Sequence, residues 1–395
     1  MNVRLDHNFT GLSSDLFFLA DGTVQRSGSV DSYIDYSGSA GVNCLADLLE
    51  LTPPALISPA MSKALATSGI GDQMLSYYME PADFKASLFR VQEFCGKVFS
   101  AFEDSSYPKR YLQNLAFMNS MKPAKIDASK LNSCEEIKSA NALESFSSDF
   151  RGFMDPVRYS LTNSITGRSS VISGPQILTT AKVVRSFLRS RYSDGKILEI
   201  DFSSLEPRVA LAIAKMPGDS GDVYDQVNRE ILGGQLNREI AKVATLSAMY
   251  GASERLLAES LPEHIKPKKV IESIRSRIGF DQTIKKIKAD IETHGRFTNQ
   301  FGRPIIAPKG RAVRDPVLFN WLIQSSAVDV AIAGFRHFTT RLRGLGVEFE
   351  PIFVIHDAIL IDVRSSQVKT VETALSGGYE MEDFGKFPVK VRAVE

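Results

Sequence analysis

The stretch FVIHDAILIDV, residues 353–363, constrains the fold more than any other part of this chain. It is a run of apolar, strand-forming residues with His356 and Asp357 dropped into it. Such a run reads as two short strands, buried or half-buried, that meet at a turn. An ionised carboxylate held among them is costly unless a cation, a donor or water offsets it. Asp357 therefore needs a partner. The sequence offers Asp201, the last residue of KILEID (196–201), another strand that ends on a carboxylate. Two carboxylates carried by neighbouring strands can bind two divalent cations about 3.5–4 Å apart, an arrangement suited to in-line phosphoryl displacement. Mg²⁺ fits, because it needs only one or two carboxylates and takes its other ligands from phosphates and water. An Asp at a strand end also commonly caps a turn, so neither residue carries the assignment alone.

A second pattern bears on the same chemistry. NREIAKVATLSAMYG (237–251) has helical spacing, with Gly233-Gly234 before it and Gly251 as its stop signal. Arg238, Lys242, Leu246 and Tyr250 fall four apart and share one slowly drifting stripe. Two cations one turn apart repel slightly, so an isolated helix gains nothing from them. A triphosphate lying along that stripe would explain the pair through charge-assisted bonds.

Around these motifs the patterns predict a hairpin over 16–28 with its turn at Asp21-Gly22, and one or two helices over 73–103. Residues 104–160 are polar and broken by proline. Further on come a hairpin-like strand pair (295–307), a long apolar helix (319–342), a short helix (366–376) and a last strand near FPVKVRAV. This order predicts a mixed antiparallel α+β core with a helical insertion between residues 201 and 295.

The net charge of +1, from 47 basic and 46 acidic side chains, says nothing about partners. Its distribution does. Eight Lys/Arg oppose three acids from Glu263 to Lys288, five Arg/Lys and no acid lie between Arg296 and Arg314, and Lys182 clusters with Arg185, Arg189 and Arg191. Segregated basic patches predict one face that meets a polyanion. Cys44, Cys95 and Cys134 lack metal-ligand spacing and fit a reducing compartment; the five histidines form no zinc pattern. The N-terminus lacks a signal-peptide core and no apolar run reads as long enough to span a bilayer, which predicts a soluble, cytoplasmic chain with no membrane partner.

Six elements together resemble the family A (bacterial Pol I-like) DNA polymerases. DFSSLEPRVALAIA (201–214) resembles motif A, usually DYSQIELRVLAHLS. Arg238, Lys242, Tyr250 and Gly251 reproduce the R-x3-K-x7-YG pattern of motif B, and VIHDAILIDV resembles motif C, usually VHDELVLEV. SITGRSS (164–170) is similar to the TGRLSS element, GRFTNQFGR (295–303) to the GYVETLFGR hairpin, and FNWLIQSSAVD (319–329) to the N-x3-Q-G-T-A-A-D helix. The six keep the family's order across residues 164–363, about half the chain, and FPVKVRAV is similar to the family's last strand.

The resemblance implies a right-hand polymerase with an antiparallel palm sheet, helical fingers and a small helical thumb. Residues 1–74 would form an N-terminal region of unknown role, 75–160 the thumb, 161–215 and 291–395 the palm, and 216–290 the fingers. It implies template-directed addition of deoxynucleotides to a primer 3′-OH. Asp201, Asp357 and the backbone carbonyl of Phe202 would hold two Mg²⁺ ions, with Mn²⁺ as a substitute. Glu206 would block the ribose 2′-OH, Arg238 and Lys242 would grip the triphosphate, and Lys242 would protonate the leaving pyrophosphate. Leu246 would line the nucleotide site, and Tyr250 would guard the template-base pocket. Arg168, Asn320 and Gln324 would face the minor groove, whose acceptors are common to all base pairs. His356 would support the primer terminus, and Gln176, Arg208 and Arg303 complete the DNA-binding set.

Several positions depart from the family pattern. Ala358 replaces a Glu, Leu246 an aromatic residue, Ser204 a Gln, Ser325 a Gly, and Tyr224 a residue that is commonly His. These departures imply a divergent member of phage or viral origin acting in an infected bacterial host. Only about 160 residues precede the TGR element and residues 1–150 hold no Asp-x-Glu motif, so a 3′–5′ exonuclease is not expected in this chain. A separate exonuclease, helicase or single-strand-binding protein would then be a partner. Three other readings share some of these residues: a single-subunit RNA polymerase or primase-like enzyme, a catalytically inactive DNA-binding replication factor, and a two-metal nuclease. Tyr224 and Ala358 lean to the first and Glu206 against it. Retention of Asp201, Asp357, Arg238 and Lys242 tells against the second, and the triphosphate-gripping helix has no use in the third.

Overall fold

The computed structural model describes residues 2–10, 12–19, 23–26, 33–36, 41–67, 75–102, 106–133, 144–216, 221–234, 236–251, 254–308, 310 and 312–394. The chain divides into two compact units, Met1–Ala116 and Phe117–Glu395.

In the first unit, strands Asn2–Leu5, Leu16–Phe18, Val24–Arg26 and Tyr33–Asp35 form one small sheet. The middle two are the arms of the expected hairpin, Leu16 opposite Arg26, while its turn at Asp21-Gly22 lies outside the described residues. The helical pattern over 73–103 resolves into helices Leu75–Tyr78 and Pro81–Ser100, the longer one burying Val91, Phe94, Cys95 and Val98. Burial pushes the Cys95 thiol up to about 12. Helix Tyr107–Met118 stands where the sequence reads only as polar and proline-broken. Its Pro108 sits in the first turn, where the missing N–H is no loss, and Tyr107, Tyr111 and Leu115 make a buried stripe.

The second unit is built on a four-stranded antiparallel sheet. Its strands are β1 (Gly195–Phe202), β2 (Phe349–Ile355), β3 (Ala358–Arg364) and β4 (Val389–Ala393), in the order β2-β3-β1-β4. β2 and β3 are the two strands expected of the 353–363 run, Ile355 pairing Ala358 across a two-residue turn of His356 and Asp357. β3 is buried at every residue but its last, and a strand covered on both faces reads as a continuous apolar run. The run holds a second charge, Asp362, which is only 1% exposed. Asp362 is the deep carboxylate, and it is fully partnered: it accepts from the Ser190 hydroxyl and from the Arg191 N–H and Nε at 2.8 and 3.1 Å.

Helices α1 (Leu205–Ile213), α2 (Val223–Ile231), α3 (Arg238–Tyr250), α4 (Pro267–Arg277) and α5 (Phe280–His294), with a short helical turn at Glu254–Ala258, lie in the insertion expected between residues 201 and 295. Ala241, Ala244 and Ala248 on α3 are small enough to let Val227 of α2 and Ile274 of α4 share one buried cluster. The 295–307 pair forms as strands Arg296–Thr298 and Pro304–Ile306. α6 (Asp315–Gly344) is longer than the expected 319–342 helix. It is long and apolar enough to cross a bilayer by length and composition, which corrects the expectation that no run is. Yet 67% of that window is buried inside the protein, as in a core helix. Phe335 and Phe338 of α6 lie 5.5 and 5.8 Å from the Phe202 ring, and burying each is worth roughly 1.5–3 kcal/mol. Gly334 makes the approach possible: a Cβ there would lie 2.6 Å from the Phe202 ring.

Candidate active site

The sheet register brings the two carboxylates together. Asp201, at the end of β1, lies directly opposite Ala358, the residue after Asp357, and the Phe202 N–H donates to the Asp357 carbonyl at 3.1 Å. His356 takes a φ of +57° and Asp357 does not, the sign pattern of a type II′ turn whose first position usually belongs to glycine. A non-glycine residue held there costs about 1–3 kcal/mol, so this turn stores strain next to a carboxylate.

Both Asp side chains line a cleft of about 440 Å³ together with Arg168, Glu206, Arg238, Lys242, Leu246, Gln324 and His356. Burial, then the charge of Asp357, lifts the Asp201 carboxyl to about 6, and burial likewise raises Asp357. Two adjacent carboxylates pushed upward are short of counter-charge. That shortage, and an all-oxygen donor set with the Phe202 carbonyl next in the strand, fits hard divalent cations of the Mg²⁺ kind. Burial and the Arg168 guanidinium hold the His356 imidazole below its usual range, so it is neutral at pH 7.

The facing wall comes from α3, capped by the Asn237 side chain on the Ile240 N–H. Arg238 is gripped by Asp222 at 2.9 Å and Glu239 at 3.2 Å, and its guanidinium lies over the Tyr224 ring at 5.0 Å. Asp222 also caps α2 by accepting from the Tyr224 N–H, so one carboxylate fixes both a helix end and a cation. Lys242, one turn on, has the exposed Glu239 carboxylate 3.9 Å away as its ion-pair partner among the described residues. The Tyr250 hydroxyl donates to Glu206, and burial together with that carboxylate raises the Tyr250 pKa, keeping the phenol protonated.

The TGR element ties these walls together. Thr166 donates to the Gln324 carbonyl oxygen at 2.8 Å, and Arg168 lies 3.7 Å from Glu206. Gly167 (φ +74°) has Arg303 against its backbone, where a Cβ would lie 2.7 Å from the guanidinium.

Four expected DNA contacts stand apart from the cleft wall. Arg208 and Arg303 are 8% and 4% exposed, with guanidinium groups donating to the carbonyls of Gly221 (2.5 Å) and Leu161 (2.6 Å). In this structure both charges brace loops from inside. Gln176 lies in the turn after strand Ser170–Ser173, its carbonyl taken by the Thr180 hydroxyl at 2.6 Å. Asn320 sits one turn before Gln324 but does not line the cleft, and its Oδ1 is buried without a hydrogen bond. Conversely, Asp222, Lys390 and Arg392 belong to the site without having been singled out. Lys390 pairs directly with Asp201 from the β4 side, and both β4 cations line the cleft. Only the strand order could have revealed them.

The model of "DNA polymerase family A" matches residues 157–394. No curated protein matches the sequence. Among solved structures the chain is similar to the polymerase domain of Pol1 from M. smegmatis, described in complex with DNA primer-template and dNTP. The two are 12% identical with a TM-score of 0.63, over 99% of this chain and 94% of that one. A likeness at that identity speaks for the fold, whereas the family match spans the strands and helices that carry Asp201, Arg238, Lys242, Gln324 and Asp357. The chain belongs to DNA polymerase family A and is a DNA-directed DNA polymerase.

Proposed function

We propose that the cleft adds deoxynucleotides to a primer 3′-OH with two divalent cations, Mg²⁺ or Mn²⁺, held by Asp201, Asp357 and the Phe202 carbonyl. The observation that carries this is the juxtaposition of the paired carboxylates with Arg238 and Lys242 across one cleft. When bound, the cations supply Lewis-acid stabilisation of the attacking and leaving oxygens. The chain's own residues do the rest. Arg238, aimed by Asp222 and Tyr224, binds phosphate oxygens in a fixed fork. Lys242, free to exchange its weak Glu239 contact, delivers a proton from Nζ to the departing pyrophosphate. Glu206, held by Tyr250 and near Arg168, occupies the space a 2′-hydroxyl would need. Gln324, oriented by Thr166, reads acceptors in the minor groove. Neutral His356 supports the primer terminus from the turn.

Within this reading residues 75–160 serve as the thumb and the enzyme works on primer-template DNA, as expected of a divergent phage-type member. Primer extension with Mg²⁺ tests it, comparing wild type, Asp357→Asn and Glu206→Ala with dNTPs and NTPs. Asp357→Asn should lose at least about a thousandfold in rate, on the scale of removing a main electrostatic stabiliser. Glu206→Ala should gain NTP incorporation. Exclusive NTP use by wild type would instead establish the RNA polymerase reading toward which Tyr224 and Ala358 lean.

A further inference from the structure

Strand Arg158–Ser160 lies outside the four-stranded sheet and pairs with Ser170–Ser173. Its middle residue, Tyr159, is wholly buried, and its hydroxyl meets one residue of β2 twice. It donates to the Val354 carbonyl at 2.9 Å and accepts from the Val354 N–H at 3.0 Å. Burial raises the pKa of the phenol, so its proton stays in place as a donor. Filling that space alone would need only a phenylalanine, without the cost of burying a hydroxyl.

β2 is an edge strand of its sheet, paired with β3 on one side. An edge leaves a row of N–H and C=O groups outside the ladder, and burying them is costly unless something else satisfies them. Val354 is buried, and Tyr159 supplies both bonds that a further strand would have made there. The place of this contact matters. Two residues, Ile355 and His356, separate Val354 from Asp357. On the β3 side the turn is anchored by Ala358 opposite Asp201. On the β2 side the Tyr159 hydroxyl holds the strand just before it bends. The positive φ of His356 persists where the surroundings over-determine it, and this clamp is one such constraint. Tyr159 is itself backed: its N–H donates to the Asn119 Oδ1 at 3.0 Å, and Arg303 holds the Leu161 carbonyl at 2.6 Å. The same segment then runs into the TGR element, whose Thr166 orients Gln324.

We infer that the Tyr159 hydroxyl is a positioning group for the reaction: by clamping β2 at Val354 it fixes the strained turn that presents the Asp357 carboxylate to the cleft. Tyr159 does not line the cleft and acts through the backbone from Val354 to Asp357. The inference rests on the reading above in which Asp357 holds a divalent cation. A tyrosine that only stabilised the core would behave differently. Its loss would loosen the surrounding structure evenly and leave the properties of the folded site unchanged.

The test is Tyr159→Phe in the full chain, which deletes one oxygen and keeps the ring. Ile287→Ala, a core cavity in α5 at a residue that does not line the cleft, serves as the purely structural comparison. Two readouts need no turnover: hydrogen–deuterium exchange of the metal-free protein, and Mn²⁺ binding by electron paramagnetic resonance with dideoxy-terminated primer-template and dNTP. In Tyr159→Phe, peptides spanning residues 352–358 should exchange about tenfold faster than in wild type, with α5 and β4 unchanged. Mn²⁺ affinity and kcat should each fall roughly tenfold, the lower end of the loss when a partner behind a metal ligand is removed, while the dNTP KM moves less than about twofold. Ile287→Ala should speed exchange in α5 and leave Mn²⁺ affinity as in wild type. Wild-type exchange over residues 352–358 in Tyr159→Phe overturns the inference, and so does an even rise across the sheet. Asp357→Asn, measured alongside, separates the two readings. Local loosening in Tyr159→Phe with Mn²⁺ binding untouched by Asp357→Asn removes the metal assignment alone. Mn²⁺ binding lost in Asp357→Asn but intact in Tyr159→Phe removes the positioning role alone.

Discussion

Asp201 sets the electrostatic character of the cleft. Its carboxyl, ordinarily near 4, is lifted to about 6, so the folded state favours the protonated form. That preference supports the fold below about pH 4, fades as pH rises through about 6, and leaves a poorly compensated carboxylate at pH 8. Without divalent cations, Asp201→Asn should therefore be more stable than wild type at pH 8, by roughly 1 kcal/mol after allowing for solvent screening. The advantage should vanish near pH 4, as urea unfolding at the two pH values would show. On the facing wall, Glu239 contacts both Arg238 and Lys242 while largely exposed, which makes it a weak stand-in for a phosphate. Glu239→Gln removes that competitor. Steady-state kinetics should show a dNTP KM lowered a few-fold with kcat little changed.

At the scale of elements, the site depends on how closely α6 approaches β1. Alanine is the better helix former by about 0.8–1.0 kcal/mol, so Gly334→Ala would stabilise an isolated helix. Here it should destabilise the protein by about 1–3 kcal/mol, because the new methyl meets the Phe202 ring. Since Phe202 follows Asp201, kcat should fall as well, and calorimetry beside primer extension would read both. The β2–β3 turn makes a parallel case. His356→Val puts a β-branched residue at φ +57° and should cost about 1–2 kcal/mol in denaturant unfolding, whereas His356→Gly should relieve strain. The hairpin, α3 and α6 were legible in the sequence because each carries its own periodicity and stop signals. Helix Tyr107–Met118 was not, since Pro108 reads as a breaker unless the first turn is known to include it. Lys390 was invisible for another reason: nothing local to β4 says that its neighbour is β1, nearly two hundred residues earlier.

For the molecule as a whole, the cleft is a point where ligand binding feeds back on stability. Whatever binds the folded chain alone stabilises it, by about 2.7 kcal/mol at one hundred times its Kd. Mg²⁺ with dNTP should raise the melting temperature of wild type by thermal scan and do so much less for the Arg238→Ala, Lys242→Ala double variant. The motif residues that bound the cleft could be named from sequence because they recur in a recognisable order. The buried guanidinium groups of Arg208 and Arg303 could not be told from surface ones by residue type, because burial is a property of the assembled fold.

The two-residue turn between Ile355 and Ala358 has a consequence for how such a chain can change over generations. Strand side chains alternate, so a shift of one residue sends each of them to the opposite face of the sheet. A single inserted or deleted codon in the turn would unpair Ala358 from Asp201 and break the meeting of the two carboxylates at a stroke. A point mutation at Ala358 merely swaps one neighbour of Asp201 for another. The hairpin is therefore a ruler whose markings can be repainted but whose length cannot be altered. Drift in this region should accumulate as substitutions and never as gaps.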